Sequence, residues 1–299
     1  MKFFVTRDEH LRLDAAARAT LRGDFARLPD GHTHYELTGP PAGDLIVCVP
    51  GLTIPLFYWD HVLPHLHASG LRTLTFSAYG RGYSDRVEGR YDEAMFVRQL
   101  RDLLIHLQID EPVHLVSTSM GALIAMAFSL HRPDAVRTLT LLGPAGLSTD
   151  TAFQQKILQL DPAARTVAQL LGRWLLLGHL EHNVADKMLV EPLTRMIADC
   201  YHYEGSMYSF FSTLQNYPLS GRHDLFRLTG DLGIPTLLAW GTLDTVTPIA
   251  GLDTARDLLR PIAVEALDMC GHMAPYERPE TTADIISAFL TIDHERTTR

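Results

Sequence analysis

The chain has 299 residues, 46% of them hydrophobic and 20% charged, with a formal net charge of −9. These values fit a globular protein and exclude disordered, collagen-like and coiled-coil chains. Its only lysines are Lys2, Lys156 and Lys187, and no basic run offers a phosphate-tracking groove, so no nucleic-acid partner is expected.

The first ten residues, MKFFVTRDEH, turn charged too early for a signal-peptide core. The apolar stretches are broken by Gly, His or Arg, so no membrane span is expected. Cys48, Cys200 and Cys270 are widely spaced and show no C-x-x-C pattern, which argues against zinc or redox chemistry. A soluble, cytoplasmic protein is the expectation. Residues 8–28 read as a helix within an N-terminal extension over 1–30. His32–Leu37 alternates in polarity, as an antiparallel edge strand does. Leu45–Val49 is a continuous apolar run, with Cys48 as a buried small hydrophobe. His61, His65 and His67 follow Trp59 without a carboxylate at ligand spacing, so they read as a solvated helix face and no metal site is expected.

Strand Arg72–Ser77 comes next, then a helix over Glu93–Leu107 with Phe96, Leu100, Leu103, Leu104 and Leu107 on one face. Strand Val113–Ser117, an apolar helix over Met120–Leu130 and strand Val136–Leu142 continue the alternation. Residues 148–233 break it. They contain no convincing strand but hold helical stretches at Val167–Leu177 and Asp186–Tyr203, so they read as an inserted helical cap. Strands Thr236–Trp240 and Ile262–Leu267 and a helix over Thr282–Leu290 close the chain. The fold class is α/β: a mostly parallel sheet with helices on both faces, built from 31–147 and 234–299 around the cap.

The chemistry concentrates in three loops. His114-Leu-Val-Ser-Thr-Ser-Met-Gly runs from strand through a tight turn into a helix. Ser119 stands at the turn, with the small residues Ser117 and Gly121 two positions away on either side. That is the pattern of a nucleophile elbow, S-x-S-x-G in place of the usual G-x-S-x-G. An ordinary helix N-cap serine is the simpler alternative. Asp244 follows the strand ending at Trp240, and His272 follows the strand ending at Leu267. Loops at the carboxyl ends of parallel strands meet at one crevice, and the order Ser, Asp, His is that of a hydrolase triad. Asp268 is an alternative acid, ranked lower because it falls at a strand end.

With these motifs the chain resembles the α/β-hydrolase superfamily, as a serine esterase- or lipase-like member with a helical cap. Val49-Pro50-Gly51-Leu52 and Tyr79-Gly-Arg-Gly-Tyr-Ser-Asp85 extend the likeness. Pro50, Ser77 and Ser117 depart from the family pattern, where His, Asp and Gly are usual. The resemblance implies that the backbone N–H groups of Leu52 and Met120 form an oxyanion hole. It also implies that Ser119 is the nucleophile, His272 the base and Asp244 its orienting acid. Family members with Asp at the elbow cleave epoxides or carbon–halogen bonds, which Ser119 argues against.

The expected function is hydrolysis of a carboxylic ester, lactone or thioester of a lipophilic small molecule through an acyl-enzyme on Ser119. No cofactor is expected, since no G-x-G-x-x-G or P-loop signature occurs. The alternatives are a thioesterase acting on a carrier protein, a C–C bond hydrolase, and a non-hydrolytic receptor or cyclase that uses only the cavity. Within the cap, Trp174, Tyr203, Tyr208 and Phe211 either roof an apolar substrate pocket or form the cap's own core.

Overall fold

The computed structural model describes residues 1–148 and 160–297. In chain order the strands are β1 (Asp24–Arg27), β2 (His32–Thr38), β3 (Leu45–Val49), β4 (Arg72–Phe76), β5 (Val113–Thr118), β6 (Val136–Leu142), β7 (Thr236–Gly241) and β8 (Ala263–Leu267). They form one sheet in the order β1-β2-β4-β3-β5-β6-β7-β8. β2 runs antiparallel to both its neighbours, and every pair from β4 to β8 is parallel. Central strands β3 and β5 are buried along almost their whole length; β3 reads as an unbroken apolar run, whereas β5 also buries His114, Ser117 and Thr118.

The helices are α1 (Ala15–Arg18), α2 (Leu63–Ala68), α3 (Glu93–His106), α4 (Met120–His131), α5 (Asp161–Leu180), α6 (Lys187–Cys200), α7 (Ser206–Asn216), α8 (His223–Asp231), α9 (Leu252–Leu259), α10 (Ala274–Glu277) and α11 (Pro279–Thr297). α3, α4, α8 and α9 pack side by side in one layer, and α2 packs with α11 in another. Among the described residues no helix is long and apolar enough to cross a membrane.

The N-terminal segment differs from the expected helix over 8–28. Only one helical turn forms, α1, capped by the Asp14 carboxylate and burying none of its residues. Gly23 at φ 87° then turns the chain into β1. β1 pairs with β2 across the two-residue Pro29-Asp30 loop, so β2 is not the sheet edge. The Pro-Asp-Gly signal for that turn stands in the sequence. The strand itself escapes detection because of its four residues only Ala26 is buried.

Residues 1–11 lie on the cap. The Glu9 carboxylate accepts from the N–H groups of Met207 (2.6 Å) and Gly205 (3.3 Å) at the start of α7. Leu11 bridges to Tyr203, and Phe3 and Phe4 pack on the Tyr208 ring.

The expected cap over 148–233 is helical where it is described, and residues 149–159 of it lie outside the described residues. α5 packs against both α6 and α7. α8, placed within the cap by sequence, instead buries Leu225, Phe226 and Thr229 in the layer with α4 and α9. The helical insertion proper therefore ends before residue 223.

Candidate active site

β5 delivers Ser119 to a turn that few residues tolerate. Ser119 has φ 55° and ψ −122°, a conformation costing about 1–3 kcal/mol that surrounding structure must hold. Its N–H donates to Leu142 O (3.1 Å), and its carbonyl accepts from Ala122 (3.1 Å) and Ala145 (3.2 Å). A Cβ on Gly121 would stand 2.3 Å from Val49 O, so α4 can lie this close to the end of β3 only with glycine there. This accounts for the last position of S-x-S-x-G. The first position takes serine because the Ser117 hydroxyl, fully buried, donates to Thr140 O (3.0 Å).

The other two departures from the family pattern are also absorbed. The Ser77 hydroxyl accepts the Leu56 N–H (3.0 Å) and meets His34 Nδ1 (3.2 Å). Burial lowers the His34 pKa to about 4, so its ring is neutral; with Nε2 donating to Arg22 O, its Nδ1 accepts a hydrogen bond from the Ser77 hydroxyl and no carboxylate is needed. Pro50 leads into Gly51, where a Cβ would lie 3.3 Å from Thr118 O and in ordinary contact, 3.4 Å, with Ser119 Cβ.

The loops after β7 and β8 bring Asp244 and His272 together, both nearly fully buried. Asp244 Oδ2 lies 2.8 Å from His272 Nδ1. Asp244 Oδ1 accepts the N–H groups of Val246 (2.9 Å) and Thr247 (2.8 Å), and the Thr247 hydroxyl donates to Oδ2 (2.8 Å). A carboxylate held by this many donors keeps one geometry, with one oxygen turned to the imidazole. Asp268, the alternative acid, is exposed and bonds to its own loop at Met269 N (3.0 Å). Gly143, at φ 50° after β6, passes so near that a Cβ would lie 3.0 Å from Asp244 Oδ2 and 3.4 Å from His272 Nδ1.

Ser119 opens into a cavity of about 510 Å³. Leu52 and Met120 line it beside Ser119, with Pro144, Leu147, Trp240, Val246 and Pro248 among the apolar walls. No Asp, Glu, Lys or Arg occurs among the described lining residues. The cap contributes His179 and Leu219.

The four cap residues singled out by sequence do not line this cavity. Trp174 is 70% exposed. Tyr203 carries Arg86 over its ring, the Tyr208 hydroxyl donates to Gly89 O (2.8 Å), and Phe211 packs on Phe210 and Gly172. The latter three form the cap's own core and its seam with the sheet domain. Helical periodicity reveals that a face is buried but not against what. Of the histidines after Trp59, His61 is exposed and stacks on Tyr276, while His65 and His67 are half-buried and His67 bonds Thr73 (2.9 Å).

Three supporting residues lay outside the sequence reading. Thr247 had a local signal, the Asp-x-x-Thr spacing of a self-capped turn. Arg81, fully buried, donates from Nε to Leu52 O (2.6 Å) and from a terminal nitrogen to the Thr213 hydroxyl of α7 (2.9 Å). Burial pulls its pKa down. Glu277 accepts from the backbone N–H groups of Gly271, beside His272, and of Ala185 and Asp186 in the α5–α6 connection. Arg81 stands inside the Tyr79–Asp85 motif, but its contacts to Leu52 and Thr213, and those of Glu277 to Ala185 and Asp186, join distant segments, so nothing local gives their partners.

A family model described as "Alpha/beta hydrolase family" matches residues 46–285. The chain belongs to this family. Among curated α/β-hydrolase relatives, the monoacylglycerol lipase ABHD6 of Bos taurus is 28% identical over 210 residues, 66% of this chain and 60% of its own. This chain thus spans about three fifths of that relative's length. A Pseudomonas putida 2-hydroxy-6-oxononadienedioate/2-hydroxy-6-oxononatrienedioate hydrolase is 24% identical, covering 89% of this chain and 96% of its own. The structure of an esterase from Thermogutta terrifontis superposes with a TM-score of 0.78 at 19% identity, over 92% of this chain and 100% of that one. That likeness is one of fold.

Proposed function

We propose that this α/β-hydrolase cleaves a neutral carboxylic ester, lactone or thioester of a lipophilic small molecule through an acyl-enzyme on Ser119. In this reading Ser119 Oγ attacks the acyl carbonyl while His272 takes its proton. Asp244, bonded to Nδ1, holds the ring so that Nε2 faces the nucleophile and stabilises the imidazolium. The N–H groups of Leu52 and Met120 receive the oxyanion, each such donor being worth roughly 3–4 kcal/mol. His272 then returns the proton to the leaving group, and water repeats the sequence on the acyl-enzyme.

The observation that carries the choice of substrate is the cavity wall. Ser119 opens onto apolar side chains with no cation among the described lining residues. The Pseudomonas putida relative is named for a dioate, and a dianion in this cavity would be desolvated without a partner, which is expensive. The name of the Bos taurus relative, a monoacylglycerol lipase, points to a neutral ester, which suits these walls. The likeness to the C–C hydrolase over nearly its whole length keeps that reaction as the second reading.

The test assays p-nitrophenyl acyl esters of rising chain length, a monoacylglycerol, a carrier-bound thioester and a 2-hydroxy-6-oxo-dienedioate. A fluorophosphonate probe is applied to the wild type and to Ser119→Ala. Ester turnover and Ser119-dependent labelling are expected. Turnover of the dioate alone would move the assignment to C–C hydrolysis, and absence of labelling would favour a cavity protein without hydrolytic chemistry.

A further inference from the structure

His179 puts a polar ring into the Ser119 cavity that the triad chemistry leaves unused. It stands one residue before the end of α5 and, with Leu219, forms the cap's share of the lining. The other polar groups of the wall nearest the triad are engaged. Trp240 Nε1 donates to Thr247 O (2.6 Å), and the Thr247 hydroxyl serves Asp244. None of the described residues hydrogen-bonds the His179 ring.

Its position relative to the triad follows from the backbone. Four residues beyond it, Asn183 O accepts the N–H of His272 (2.9 Å), which ties the end of α5 to the catalytic-histidine loop. His179 therefore lies on the imidazole side of the nucleophile, close enough for the His272 charge to oppose its protonation. His272 must hand its proton to the leaving oxygen, so the leaving alcohol occupies this side of the cavity. Burial pushes the His179 pKa down to about 4, leaving a neutral ring with one N–H donor and one nitrogen acceptor. A hydroxyl, itself donor and acceptor, matches that pair, whereas a carboxylate calls for a cation.

We propose that His179 binds a free hydroxyl on the leaving alcohol, so that the enzyme prefers esters of hydroxylated alcohols to esters of plain alkyl alcohols. The inference rests on the ester-hydrolase reading and adds the alcohol half of the substrate to it.

The test compares two esters of one acyl chain, with glycerol and with 1-propanol, in the wild type, His179→Leu and His179→Gln. Circular dichroism and thermal midpoints establish that each variant folds. The wild type should favour the glycerol ester. The Leu variant should lower the glycerol-to-propyl ratio of kcat/KM roughly tenfold, chiefly through KM on the glycerol ester. The Gln variant, whose amide also donates and accepts, should recover part of the ratio; it carries the test if the Leu variant does not fold. Turnover of both esters with the same ratio in wild type and variants overturns the role of His179 alone. Turnover of neither by the wild type overturns it together with the ester-hydrolase reading.

Discussion

Gly143→Ala isolates how tightly Asp244 and His272 are packed. Two costs are separable from the structure. Gly143 sits at φ 50°, where an alanine costs about 1–2 kcal/mol of stability. In a chain this long, that lowers the thermal midpoint by roughly 2–3 °C. The new methyl would also lie 3.0 Å from Asp244 Oδ2, 3.4 Å from His272 Nδ1 and 3.4 Å from Thr247 Oγ1. These groups are buried and bonded to one another, so they give way together, by a few tenths of an ångström. A displacement of about 1 Å costs about a hundredfold in rate, so a fall of about tenfold in kcat is expected here. Gly70→Ala is the control: φ is 81° with nothing within 4 Å, so it carries the backbone cost without the crowding. Thermal midpoints and kcat on a short p-nitrophenyl ester are measured for both. Similar midpoint losses with a rate loss confined to Gly143→Ala are expected. Equal activity in the two variants would refute the argument that this glycine sets the Asp244–His272 contact.

Ser119→Ala and His272→Ala should each lower kcat by about 10³-fold or more with thermal midpoints near the wild type; Asp244→Asn should cost somewhat less, and Asp268→Asn should leave turnover intact, the reverse order requiring the acid to be reassigned. Trp174→Ala, at an exposed site, should change stability by no more than about 0.5 kcal/mol and leave the acyl chain-length profile as it was; a shifted profile would return this residue to the substrate site. Stability should fall in mild acid. His34 and His114 are held near pKa 4 by burial, whereas an unfolded histidine titrates near 6.5, so between those values the unfolded chain binds more protons. Each then contributes a loss of up to about 3 kcal/mol as the pH drops through that window. Urea midpoints that stay level from pH 6.5 to 4.5 would contradict this.

What the sequence made legible, and what it concealed, divides along physical lines. Leu45–Val49 could be read because a strand buried on both faces selects apolar residues at every position, and Val136–Leu142 because β-branched residues and leucines dominate it. Ser119 and Asp244 could be read because each follows a buried strand in a loop of recognisable composition; His272 follows the edge strand β8, whose middle three residues are exposed, and was legible through its Cys-Gly-His loop and the chain order. β1 was hidden by its exposure, and the expected N-terminal helix failed because residues 1–11 find their partners on the cap, nearly two hundred positions away. Trp174, Tyr203, Tyr208 and Phe211 were visible as large apolar residues on helices, yet which surface each covers is decided by packing between helices. Arg81 and Glu277 act through backbone atoms of distant segments, and a carbonyl or N–H partner leaves no trace in residue identity.

Arg81 also limits how the roof of this protein can be exchanged. One guanidinium braces Leu52 below and Thr213 above, while Arg86 beside it donates to Cys200 O (2.7 Å) and the Ser206 hydroxyl (3.0 Å). Among the described residues, neither cation has a carboxylate as a hydrogen-bond partner. A chimaera that kept the sheet and borrowed its helical insertion from a relative would leave each guanidinium its acceptors in the 52–84 region but take away those at Thr213, Cys200 and Ser206, unless the new segment brought an acceptor to each place. Stranding one buried polar group costs about 1–3 kcal/mol, and more when it is charged. The same graft would loosen the strut beneath Leu52, because the Arg81–Leu52 bond would stay while its anchor on Thr213 went. Transplanting substrate preference onto this scaffold therefore requires moving the 81–86 loop and α7 as one inheritance, or recoding the seam between them.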